Sequence, residues 1–203
     1  MSNKSFLVLI GMLIVVAIGY IAFGVKRTPL PKAAPVVASL SSLSIAPAPW
    51  QPEYNNLPNR LKVIGLSLLG AEGTAQHIHS HLDIFINDQR VIVPADIGIP
   101  PTGGLTPVHT HDTSGIIHIE SPDAYAIYTL GQFFDIWGVK FTNTSLGSYA
   151  DNSTDTLNVY SDGKKVNNPV NLALKAHEEI AITYGLSKQS LHIPKSYNFP
   201  AGM

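Results

Sequence analysis

The chain has 203 residues, 45% hydrophobic and only 13% charged, with 15 prolines, 8 histidines and no cysteine. The absent cysteines remove disulfides, thiolate zinc clusters, iron–sulfur centres, c-type haem attachment, blue copper and cysteine nucleophiles together. The formal charge of −1 is unevenly spread: residues 1–59 carry four Lys/Arg against Glu53 alone, and residues 60–203 carry nine against thirteen acids, which argues against a nucleic-acid partner because phosphates call for a concentrated basic face.

Residues 6–23, FLVLIGMLIVVAIGYIAF, form an uninterrupted apolar run with Lys4 ahead of it and Lys26 and Arg27 behind. At about 1.5 Å per residue such a run just crosses a hydrocarbon core about 30 Å thick. A cleaved secretory signal fits less well, since the nearest small-residue site, Val36-Val37-Ala38, lies well beyond the run. Residues 1–27 are therefore expected to be a single transmembrane helix with its flanks, making the membrane a partner of the chain. The flanking charges barely favour either orientation. The habit of short N-terminal anchors places the following domain outside the cytoplasm, periplasmic or at the cell surface.

Residues 28–59 hold seven of the fifteen prolines, with Ala and Ser between them and no periodic apolar pattern. They read as a semi-extended tether. Trp50 and Tyr54, near its end, are expected to pack on the first strand of the domain.

Residues 60–203 read as one domain of mainly β, β-rich α+β class: a short-stranded antiparallel sheet or sandwich with one short capped helix. Strands are expected over residues 61–69, 76–87, 91–94, 115–120, 156–160 and 179–184. Asn87-Asp88-Gln89-Arg90 reads as a hairpin turn, and Asp162-Gly163 is a tight-turn pair that tolerates the positive φ of a two-residue hairpin. The helix lies between Thr129 and Gly138. Thr129 and Gln132 have the spacing of a capping box, Gly138 suits the C-terminal stop, and Phe133, Phe134, Ile136 and Trp137 make it an apolar plug for the core.

Chemistry concentrates in the histidines, six of which fall between positions 77 and 118. In His77-Ile78-His79-Ser80-His81-Leu82-Asp83-Ile84, side chains alternate across a strand, so His77, His79, His81 and Asp83 share one face and the aliphatic residues take the other. Imidazoles on a half-buried face are costly unless their donor and acceptor are met, and a metal ion meets the acceptor. Residues two apart on a strand are about 6.5–7 Å apart and residues four apart about 13 Å, so at most two of these three rings can reach one ion. Further ligands must come from His109, His111 and His118, where a turn over residues 112–115 could bring the His109/His111 pair beside His118. Asp83, Asp112 and Glu120 are candidate partners that orient the rings. His177, at a turn beside Glu178 and Glu179, and His192, in the proline-containing tail, read as surface residues.

With no cysteine and only Met203 in the domain, soft Cu(I) sites are disfavoured. Imidazole with carboxylate suits a divalent transition metal ion, Zn(II) or Cu(II) first, then Ni(II) or Fe(II).

The segments His77 to Asn87, His109 to Ser121 and Thr129 to Gly138, taken together, resemble a group of membrane-anchored or secreted prokaryotic His-rich domains for which no activity is established. The resemblance implies a location and the coherence of these motifs, and no reaction. Cupins also use His-x-His but follow it closely with Glu, whereas Glu120 stands nine residues beyond His111. The α-carbonic anhydrases pair a strand His-x-His with a third His, but their other signatures are missing.

Three functions compete on this reading. The first is an extracytoplasmic domain that binds a divalent transition metal for capture, delivery or sensing. The second is a metal-dependent enzyme with a three-histidine site and Glu120 or Asp112 as general base. The third is a structural surface β module without metal.

Overall fold

Alternation and turn chemistry produce a strand-dominated domain, described in a computed structural model for residues 43–186 and 193–203. The expected transmembrane run at 6–23, the tether up to residue 42, and His192 lie outside the described residues. Among the described residues no helix is long and apolar enough to cross a membrane.

The elements in chain order are α1 (Leu57–Val63), β1 (Gln76–Ile86), β2 (Gln89–Val91), β3 (Val108–His109), β4 (Ile116–Ser121), α2 (Leu130–Trp137), β5 (Phe141–Thr142), β6 (Ser145–Leu146), β7 (Tyr149–Ala150), β8 (Asp155–Ser161), β9 (Lys164–Lys165) and β10 (Glu178–Leu186). Seven strands form the main sheet in the order β3-β4-β1-β10-β8-β9, with β2 paired to β1, and β5, β6 and β7 form a separate small meander. β1 and β10 run parallel, while the other pairs are antiparallel. The main sheet is therefore mixed rather than purely antiparallel. The long excursion between residues 87 and 177 supplies the crossover that a parallel pair needs.

One face of this sheet is the core. Leu82 and Ile84 of β1, Ile117 and Ile119 of β4, and Ile180 and Ile182 of β10 are buried with Phe133, Phe134, Ile136 and Trp137 of α2 in one hydrophobic cluster. Each such side chain contributes about 1.5–3 kcal/mol by leaving water. α2 has the expected caps: Thr129 Oγ1 accepts from the Gln132 amide at 3.3 Å, Gln132 Oε1 accepts from the Thr129 amide at 2.9 Å, and Gly138 closes it at φ 90°. The Asn87-Asp88 and Asp162-Gly163 hairpins also form, all four residues at positive φ.

Three local expectations change. Residues 57–63 are helical, where a strand was expected to begin at 61. Pro58 sits in the first turn, where its missing amide costs nothing, and Leu57, Arg60 and Leu61 bury one side of that helix. With the strand expected at 61–69 replaced in part by this helix, Trp50 and Tyr54 find other partners. Trp50 packs edge-on against Trp137 at 5.9 Å and Tyr149 at 6.2 Å, and the Tyr54 hydroxyl donates to the Asp96 carbonyl at 2.8 Å. The turn expected at His177 forms, and the strand expected from Glu179 opens one residue earlier as β10, with Glu178 and Glu179 both buried. The packed part of the chain reaches back to Ser44, which bridges to Val139.

Candidate metal centre

The face of the sheet opposite the core carries the histidines, and strand register brings them together. His79 of β1 lies opposite His118 of β4, His118 lies opposite His109 of β3, and His77 lies opposite Glu120. Three imidazoles thus stand in one row across three neighbouring strands, with His77 and Glu120 in the row beside it. The rings of His79 and His118 meet edge to face at 4.6 Å, and those of His109 and His118 are nearly parallel at 5.6 Å. His111, just past the end of β3, turns back so that its ring lies 4.5 Å from His118 and 4.7 Å from His109.

The polar atoms converge more closely than the rings. His77 Nε2 is 3.2 Å and His118 Nδ1 3.4 Å from Glu120 Oε1, and His109 Nε2 is 3.8 Å from Glu120 Oε2. The Nε2 atoms of His109 and His111 are 3.2 Å apart. Two ligands held at about 2.0–2.1 Å by one ion are separated by about 2.9 Å at a right angle and about 3.4 Å at the tetrahedral angle. The observed spacings of 3.2 and 3.4 Å fall in that interval. His118 Nδ1 and Glu120 Oε2 are buried and accept or donate no hydrogen bond, although a carboxylate lies 3.4 Å from the former. Such atoms normally find a partner, because leaving one unpaired costs about 1–3 kcal/mol.

The rings are also held in the ligating form. His109 Nδ1 donates to the Thr106 carbonyl at 2.8 Å, which fixes the tautomer and turns the Nε2 lone pair toward the cluster. Burial holds its pKa down to about 4, against the opposing pull of that hydrogen bond. His118 is pushed down to about 3 by burial and by the neighbouring His111 and His79. Burial, followed by His77, also lowers His79. Burial and then the Glu72 charge raise Glu120. Neutral imidazole is the form that binds metal ions.

Of the residues singled out in the sequence, five histidines (77, 79, 109, 111 and 118) and Glu120 come together, and their donor atoms form two groups that could each hold a metal ion. Glu120 stands among the donors themselves rather than behind them. His81 is turned elsewhere: its Nδ1 faces Glu179 Oε2 at 2.7 Å and its Nε2 the Ser114 carbonyl at 3.0 Å, with the Tyr197 ring stacked on it at 3.6 Å. His81, Asp83 and Glu179 form a third group of suitable donors, but both His81 nitrogens are already engaged. Asp83 orients no imidazole; it accepts from Arg90 Nε at 2.9 Å. Asp112 is exposed and accepts from the Ser114 amide at 2.8 Å, bracing the turn before β4, and it is outside both groups of converging donors.

Several participants were not foreseen. Glu72, on the loop before β1, places Oε1 3.8 Å from His111 Nε2. His177 is exposed as expected, but with His77, His79 and Met203 it lines a cavity of about 370 Å3 that opens beside the cluster. Its Nε2 donates to the terminal Met203 carbonyl at 2.8 Å, and its amide donates to the His79 carbonyl at 2.7 Å, which continues the histidine row to the start of β10. No family model, no curated protein and no solved structure matches the chain.

Proposed function

We propose that this domain is a metal-binding module that takes up a divalent transition metal ion, Zn(II) or Cu(II) first, for capture, delivery or sensing. The observation that carries the reading is the convergence of five imidazoles and one carboxylate at ligand-to-ligand spacing, with His118 Nδ1 and Glu120 Oε2 buried and unpaired among them. Imidazole and carboxylate oxygen are the donors these ions prefer. The cavity beside His77 and His79 supports exchange of the ion with the surroundings, as capture or delivery requires. The apolar run at 6–23 and the proline-rich stretch after it support a tether that presents the module outside the cytoplasm.

The test is metal analysis of the full-length protein recovered from the membrane fraction in mild detergent. The wild-type protein is expected to retain Zn(II) or Cu(II) through gel filtration, and the double variant His79→Ala/His111→Ala to lose most of it. A wild-type protein that takes up none of Zn(II), Cu(II) or Ni(II), or a double variant with undiminished content, would overturn the reading. Recovery wholly in the soluble fraction would contradict the tether.

A further inference from the structure

Resting on that reading, we infer that the cluster is a dinuclear centre: two ions bridged by the carboxylate of Glu120. Donors of a single ion can be no farther apart than about 4.2 Å, twice the ion–ligand distance. The atoms available fall into two overlapping groups, His77, His79, His118 and Glu120 on one side, and His109, His111, His118 and Glu120 on the other. Glu120 divides its oxygens between them. Oε1 lies 3.2 Å from His77 Nε2 and 3.4 Å from His118 Nδ1, whereas Oε2 is the oxygen that faces His109 Nε2, at 3.8 Å.

A carboxylate whose two oxygens look toward different imidazole sets is the bridge of a two-metal site, in which the ions lie about 3.5–4 Å apart. The first ion takes His77, His79 and His118 with Oε1, and the cavity adjoins it on the side of His77 and His79. The second takes His109 and His111 with Oε2. Glu72, 3.8 Å from His111 Nε2, is a further carboxylate on that side. Strand order sets the two groups of donors apart. His109 belongs to β3 and His77 and His79 to β1, with β4 between them, so the ends of the cluster are two inter-strand spacings apart, about 9.5 Å at the backbone. Glu120, on the strand in the middle, is the residue that both ions can share, while His118 beside it turns Nδ1 toward Oε1 and the first ion.

Equilibrium dialysis of the metal-stripped full-length protein against Zn(II), followed by metal counting, tests this. About two ions per chain are expected for the wild type and about one for His111→Ala, whose exposed ring can be removed with little effect on packing. With Co(II) in place of Zn(II), magnetic coupling between the bridged ions is expected to diminish the electron paramagnetic resonance signal of the wild type. His111→Ala should restore the signal of an isolated ion. One tightly held ion in the wild type, two retained in His111→Ala, or an uncoupled signal from two bound Co(II) ions would overturn the bridge while leaving a metal-binding domain. No bound ion at all would overturn the proposed function itself.

Discussion

Burial without a hydrogen-bond partner governs the behaviour of His118, and burial governs that of His109. In the unfolded chain each takes up a proton near the ordinary value of 6.5, but in the folded chain His109 does so only at about 4 and His118 at about 3. A histidine with a lowered folded pKa adds stability that is complete above its unfolded value and drains away as pH falls toward the folded one. The metal-free protein should therefore lose stability between about pH 6.5 and pH 3, through protonation of rings that the fold holds neutral. Asp135 acts in the opposite sense. Burial raises it to about 7 despite the nearby Arg60, so its contribution is complete below its ordinary 3.8 and is lost as pH rises toward 7. Urea midpoints of the metal-free protein across this range, compared with the double variant His109→Leu/His118→Leu, separate the two effects. The acid limb should flatten in the variant, and an unchanged limb would show that these rings are not its source.

At the scale of elements, α1 and α2 are fastened by one buried cation. Arg60 Nε donates to the Asp135 carbonyl at 2.6 Å and Nη2 to the Ile136 carbonyl at 3.2 Å, at the C-terminal end of α2 where free carbonyls and the helix dipole favour positive charge. Its guanidinium also pairs with Glu53. Arg60→Ala removes the charge and strands these carbonyls, and it should lower the unfolding free energy by about 3 kcal/mol, read from the urea midpoint. A loss under about 1 kcal/mol would show that water replaces the contact. The capping box of α2 and both tight hairpins were legible in the sequence because their signals are local, within a few residues. α1 was missed, although Leu57, Leu61 and Ile64 repeat at helical spacing around Pro58, because the apolar stretch that runs on to Leu69 reads equally as a strand. The parallel pairing of β1 with β10 was not legible at all, since the chain returns to β1 only after the whole excursion through α2 and the small meander.

For the molecule as a whole, one sheet separates two environments: an apolar face packed under α2, and a polar face on which three strands deliver imidazoles. The period-2 alternation of residues 77–84 announced that division, and the exclusion of His77 and His81 from a common ion followed from strand rise alone. What the sequence concealed was lateral. Glu179 meets His81 from 98 positions away, Glu72 reaches His111 from a loop, and the inward turn of Glu120 depends on the β1–β4 register. A metal ion that binds the folded face and not the unfolded chain must raise stability, by about 2.7 kcal/mol at a free concentration one hundred times its dissociation constant. The most direct test of this account is therefore thermal unfolding of the full-length protein at fixed pH, with Zn(II) in excess and then with a chelator in excess. The account predicts a clearly higher midpoint with Zn(II), and a much smaller difference when His79 and His111 are both replaced by Ala. Equal midpoints for the wild type in the two conditions would contradict it, leaving a sheet whose histidines serve only to hydrogen-bond one another.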